Sequence, residues 1–126
     1  RRMKYLGIDY GSKRTGVAIS DESGKIAFPK FVWSTDRHLL TKIVDFCKKE
    51  KIEAIVLGES LNYKSQPNAI QSDIANWKLK IEKFTGLPVI YELELLTSRQ
   101  AERHSDKASA DASAAAIILQ SYLDKI

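Results

Sequence analysis

A chain of 126 residues, 44% hydrophobic and 29% charged, has the size and balance of one packed domain spanning 1–126. Its 20 basic against 16 acidic side chains leave +4, an excess that admits a nucleic-acid partner without demanding one. The lone cysteine, Cys47, excludes an internal disulfide and a thiolate metal cluster; no run reaches the ~18 apolar residues of a membrane span or forms a secretion signal, so the expected setting is the cytoplasm, with no membrane partner.

Tyr5–Ile8 reads as a buried strand ending near Asp9-Tyr10, and Thr15–Ser20 as a second. Asp21-Glu22-Ser23-Gly24 is a turn by composition, and a third strand follows within 25–33. Three strands with short turns make an antiparallel meander. The period then changes: Leu39, Leu40, Ile43, Val44 and Cys47 share a helical face behind a start signal at Thr35-Asp36. Ile52–Leu57 is a strand that stops at Gly58-Glu59, and 60–66 is a polar loop. Pro67 stands where a first helical residue would, and Ile70, Ile74, Trp77, Ile81 and Phe84 recur at spacings of four and three, an amphipathic helix ended by Gly86. Leu87–Tyr91 is a fifth strand. Thr97 and Gln100 form a capping box for a short helix to about Arg103, 104–109 is a polar break, and a last helix starts at Ala110, small at first and bulky from Ile117. The order βββ-α-β-α-β-α-α predicts one mixed α/β sheet with helices on its faces.

If strands one, four and five are parallel, Asp9, Glu59, Glu92 and Glu94 collect at their carboxyl ends, where open α/β sheets bind ligands. Asp111, at the start of the small half of the last helix, can approach the same edge. Two carboxylates about 4 Å apart repel by roughly 4 kcal/mol at an effective dielectric of 20. Converging acids therefore require a proton or a cation, and hard divalent ions such as Mg2+ or Mn2+ prefer oxygen ligands. Each acid also has an ordinary structural role: Asp9 capping a turn, Asp111 facing a helix dipole, Glu94 solvated on a loop. Lys13 and Arg14 read either as turn cations or as groups facing a phosphate. His38 and His104 form no zinc spacing, Ser98 and Ser105 have no catalytic partner, and Trp33, Trp77 and Phe84 read as core or partly covered aromatics.

The run Leu6-Gly7-Ile8-Asp9-Tyr10-Gly11-Ser12-Lys13-Arg14-Thr15-Gly16-Val17-Ala18 resembles the opening of the YqgF (RuvX) family, pre-16S rRNA nucleases also described as Holliday junction resolvase-like. The resemblance continues in Val56-Leu57-Gly58 with Leu61-Asn62, in Thr85–Val89, in Glu94–Ser98 and from Asp111 to Leu123, so it spans essentially the whole chain. It implies an RNase H-like fold with strand order 3-2-1-4-5 and a divalent-metal carboxylate site formed by Asp9, Glu94 and Asp111. It also implies that Lys13, Arg14 and Asn62 face a nucleic-acid backbone, in an enzyme that processes the 5′ end of 16S rRNA.

Three segments depart from the family pattern. Leu93-Glu94-Leu95-Leu96 keeps the acid of the usual Asp-Glu-Arg-Leu and loses its acidic neighbour and arginine. Gly58-Glu59-Ser60 replaces the usual Gly-Leu-Pro and brings in an acid where RuvC-type resolvases, by the same resemblance, carry one. The segment 103–110 is shorter and less basic than usual. Glu59 and Glu94 therefore both stand as candidates for the remaining metal ligand.

The leading expectation is a metal-dependent phosphodiester hydrolase acting on nucleic acid, RNA ahead of branched DNA, as a monomer or homodimer. A Holliday junction nuclease and a non-catalytic assembly factor on the same fold are alternatives. The opening segment also resembles the first phosphate motif of the sugar-kinase, actin and Hsp70 ATPases, but those bind ATP between two such domains, and one domain is expected here.

Overall fold

Tyr5–Asp9 (β1), Arg14–Ser20 (β2) and Ala27–Ser34 (β3) form the expected meander, followed by Leu39–Glu50 (α1), Ala54–Ser60 (β4), Pro67–Thr85 (α2), Val89–Glu94 (β5) and Lys107–Leu123 (α3). The structure, a computed structural model, describes residues 3–11, 13–60, 67–94 and 107–126, with side chains described outside 59–60, 67–74, 93–94 and 107–113. The expected short helix at 97–103 lies outside the described residues.

The sheet runs β3-β2-β1-β4-β5, the order expected of the RNase H-like fold. β2 is antiparallel to β1 and to β3, whereas β4 is parallel to β1 and β5 parallel to β4. The carboxyl ends of β1, β4 and β5 therefore share one edge.

Several boundaries differ from the periodicity, each for a local reason. β3 starts at Ala27 because the Asp21 carboxylate takes the amides of Lys25 and Ile26, at 2.8 and 3.2 Å, which keeps both out of the ladder. β4 starts at Ala54 because the Ile52 amide donates to Cys47 O (3.0 Å) and that of Glu53 to Lys4 O (2.9 Å), behind a left-handed cap at Lys51. At its far end β4 runs on to Ser60 and carries β5 with it to Glu94, so Glu59 and Glu92 lie inside strands. α3 starts at Lys107, a turn earlier than expected, since Lys, Ala and Ser are all compatible with a helix interior. Asp111 thus lies within the helix instead of opening it.

Helices pack on both faces of the sheet. Leu6, Ile8, Val17, Ile55 and Leu57 pack with Leu39 and Ile43 of α1 and Ile81 of α2. Tyr5, Ala18, Ala54 and Val56 pack with Ala115, Ile118 and Leu119 of α3. Cys47 is buried in the first cluster as expected, while Phe84 is largely exposed.

α3 lies close to the sheet because the strands under it offer glycines. A β-carbon on Gly7 would stand 2.7 Å from Leu119 Cβ, and one on Gly58 would stand 2.6 Å from Ile118 Cγ2. Side-chain hydrogen bonds hold the helix from both flanks. Gln120 accepts from the Ala27 amide and donates to Lys25 O, each at 2.9 Å, and Ser121 donates to Glu92 at 3.1 Å.

Candidate functional site

Asp9 closes β1, the central strand, and is only 6% exposed. Its register partners are Gly16 on β2 and Gly58 on β4. Both partners are glycines, so neither puts a side chain beside the Asp9 carboxylate. The pleat gives Asp9 the parity of Tyr5 and Gly7, which meet α3.

The turn beyond Asp9 is held firmly. A β-carbon on Gly11 would meet Arg14 O at 2.4 Å, so only glycine fits there. The Thr35 amide donates to Lys13 O at 2.9 Å, its hydroxyl to Gly11 O at 2.7 Å, and that hydroxyl also meets the Thr15 hydroxyl at 2.7 Å. The turn carries Lys13 and Arg14 with both side chains exposed. Sequence reading missed Thr35 as the tie, because the contact joins residues 24 positions apart.

Glu94 is the last residue of β5, in register with Ser60, and Glu59 is in register with Leu93. Asp111 lies on α3. The side chains of Glu59, Glu94 and Asp111 lie outside the described ones, as does all of Asn62. Among the described residues no three His, Cys, Asp or Glu side chains gather into a metal-holding group.

Glu92 is engaged by α3. It is buried beneath α3, where Ser121 donates to it and the Lys125 ammonium lies 2.6 Å away. Register puts Glu92 in the row of Asp9, both level with Gly58, so the Ser121 and Lys125 contacts, and not its level in the sheet, set it apart. His38 is exposed just before α1, and His104 lies outside the described residues.

The family model RuvX, described as Holliday junction resolvase, matches residues 3–125. This chain belongs to the RuvX family. A relative from Nitratidesulfovibrio vulgaris (strain DSM 19637 / Miyazaki F), named "Putative pre-16S rRNA nuclease", is 36% identical over 97% of this chain and 94% of its own length. Among solved structures, Thermus thermophilus RuvC in complex with a Holliday junction substrate has the same fold, with TM-score 0.66 at 18% identity, over 98% of this chain and 94% of that one. The ROK hexokinase of Thermus thermophilus shares the fold at TM-score 0.51 and 24% identity, over 82% of this chain and only 38% of its own. The family and the fold implied by the opening motif are both borne out.

Proposed function

We propose that this RuvX-family chain is a divalent-metal-dependent nuclease that processes the 5′ end of pre-16S rRNA in the cytoplasm. The observation that carries the reading is Asp9, a carboxylate at the end of the central strand with a glycine on each side in register. Family membership across residues 3–125 and the 36% identical relative named for that activity support the substrate.

Asp9, Glu94 and Asp111 would hold Mg2+ or Mn2+, and three carboxylates are the hard oxygen donors such ions prefer. A divalent ion in such a site supplies Lewis-acid polarisation of a phosphoryl oxygen and lowers the pKa of a bound water.

Two features support this ligand set. Along β1 towards Asp9, α3 is met in reverse: Tyr5 touches Tyr122, while Gly7 faces Leu119 and Ala115. Two strand residues beyond Gly7 cover about 7 Å, and four helix residues before Ala115 about 6 Å, which brings position 111 level with position 9. Position 94 has the strand parity of Ile90 and Glu92, on the α3 side, whereas position 59 has that of Ile55 and Leu57, on the other. The alternation therefore favours Glu94 over Glu59 as the further ligand.

Lys13, Arg14 and Asn62 would grip backbone phosphates and fix the scissile linkage against the acids. The family description and the RuvC fold favour four-way DNA as the second substrate to test. The ATP reading loses support, because the hexokinase likeness covers only 38% of that chain.

The test is cleavage of a 16S precursor RNA with Mn2+, run beside single-stranded RNA and four-way DNA. Asp9→Asn is expected to lower the rate about a hundredfold or more while leaving the fold intact. Equal rates would overturn the assignment, and selective cutting of four-way DNA would transfer it to resolvase activity. Metal binding without cleavage of any substrate would leave an assembly factor.

A further inference from the structure

The meander leaves one sheet face uncovered at its edge. β3 is an outermost strand, and Phe28 and Phe31 on it are 48% and 37% exposed. Phe28 pairs with Ile19, Phe31 with Val17 and Trp33 with Thr15, so the three aromatics follow one another along the strand. The rings of Phe31 and Trp33 stack at 5.3 Å and 17°. Phe46 of α1 meets both edge-on, at 5.4 and 6.1 Å, and fixes them from the core side.

Cations surround these rings. The Lys30 ammonium lies 5.6 Å from the Phe31 ring centroid. Lys42 and Lys49 stand a turn to either side of Phe46 on α1, and both are exposed. At the far end of the strand Arg14 pairs in register with Ser34, and Lys13 is tied through its carbonyl to Thr35. The nearby Glu50 carboxylate is engaged by Lys4 at 3.1 Å.

We propose that Phe28, Phe31 and Trp33, with Lys30, Lys42 and Lys49 beside them, form a stacking ledge for a single-stranded segment of the nucleic-acid substrate. The inference rests on the nucleic-acid reading above, and it names the part of the substrate that this face takes. Fixed aromatics on a sheet accept unpaired bases without regard to sequence, while neighbouring amines follow the phosphates. Its upper end meets the turn that carries Lys13 and Arg14, and since Asp9 has the α3-side parity, a strand on the ledge would pass over the end of the sheet at that turn to reach it.

A second copy of the chain fits this edge poorly. Pro29 offers no amide to a partner strand, the β2–β3 register shifts at Val17/Ala18 opposite it, and Lys30 follows.

The test uses Asp9→Asn protein in EDTA, to prevent turnover, and a fluorescein-labelled uridine dodecamer. With Trp77→Phe added, Trp33 is the only tryptophan, and the unlabelled oligomer is expected to quench its emission. Phe28→Ala and Phe31→Leu are each expected to weaken binding about fivefold or more, and Lys30→Ala to reduce its salt dependence. Phe28 is half exposed, so Phe28→Ala keeps the test valid if Phe31→Leu impairs folding. Unchanged affinity in Phe28→Ala together with unmoved Trp33 emission would overturn the ledge, whether or not wild-type protein cleaves RNA. A concentration-dependent dimer abolished by Phe28→Ala would assign the face to a second copy and also overturn it. Quenching by the oligomer in a protein that cleaves nothing would leave the ledge standing and remove the nuclease reading alone.

Discussion

Gly7 lies directly under Leu119: a β-carbon on Gly7 would stand 2.7 Å from that of Leu119 and 3.1 Å from the Ala115 carbonyl oxygen. The helix that carries Asp111 therefore rests on the bare backbone of the strand that carries Asp9. Gly7→Ala is expected to push the two apart and cost about 1–3 kcal/mol, the usual penalty for overpacking. Urea unfolding gives that loss directly. If the site needs this closeness, the variant also binds Mn2+ more weakly under conditions where it remains folded.

Lys125 reaches Glu92 at 2.6 Å, and Ser121 donates to the same carboxylate oxygen at 3.1 Å. Lys125→Met leaves the buried carboxylate without its cation and is expected to cost about 1–2 kcal/mol. The Lys125 side chain is 62% exposed, so water already screens part of the attraction. Glu92→Gln, which keeps a hydrogen-bond acceptor for Ser121, is expected to cost less. Parallel denaturant titrations of the two variants check the order.

Thr35 ties the end of β3 to the turn after β1 through Gly11 and to β2 through Thr15. Thr35→Val removes both side-chain bonds at nearly constant shape and is expected to cost about 1 kcal/mol. The turn that carries Lys13 and Arg14 would be loosened, so KM for RNA should rise more than kcat falls. Steady-state kinetics on the precursor RNA separates the two.

Asp21 is held well below the usual carboxylate range, from 3.8 to about 2, first by the Ser23 hydroxyl and then by the Lys25 and Ile26 amides. A folded-state pKa below the unfolded one gives stability that is complete above about pH 4 and lost as the pH falls towards 2. Asp21→Asn should therefore flatten the fall in Tm across that window and leave other acid-sensitive groups acting. Thermal melts from pH 6 to 2 test this.

Burial pushes the Cys47 thiol up to about 12, so it is a thiol and not a thiolate at neutral pH. Ellman's reagent is expected to leave the folded protein almost untouched and to titrate one thiol in urea. Rapid labelling of the native state would contradict the packing around Cys47.

Local chemistry made much of this protein legible in its sequence. Alternation and helical period located the strands and helices, since backbone geometry imposes periods of 2 and 3.6 on whatever is buried. The glycines and cations after Asp9, together with the ordered motifs downstream, were enough to name the family. What the sequence left open depended on strand pairing. Glu92 reads along the chain as one more acid of the edge, yet the fold sets it in the row of Asp9 and Gly58, beneath α3 and against Ser121 and Lys125. The backbone ties of Asp21 and the cap at Lys51 moved two strand starts, and neither alters a hydrophobic pattern. Thr35 carried no local signal, because its partners arrive only when β3 folds back beside β2. The sequence by itself determined the elements, the family and the candidate acids. Only the tertiary structure decided which strand positions share a face, because parity has no meaning until the register with a neighbouring strand is set.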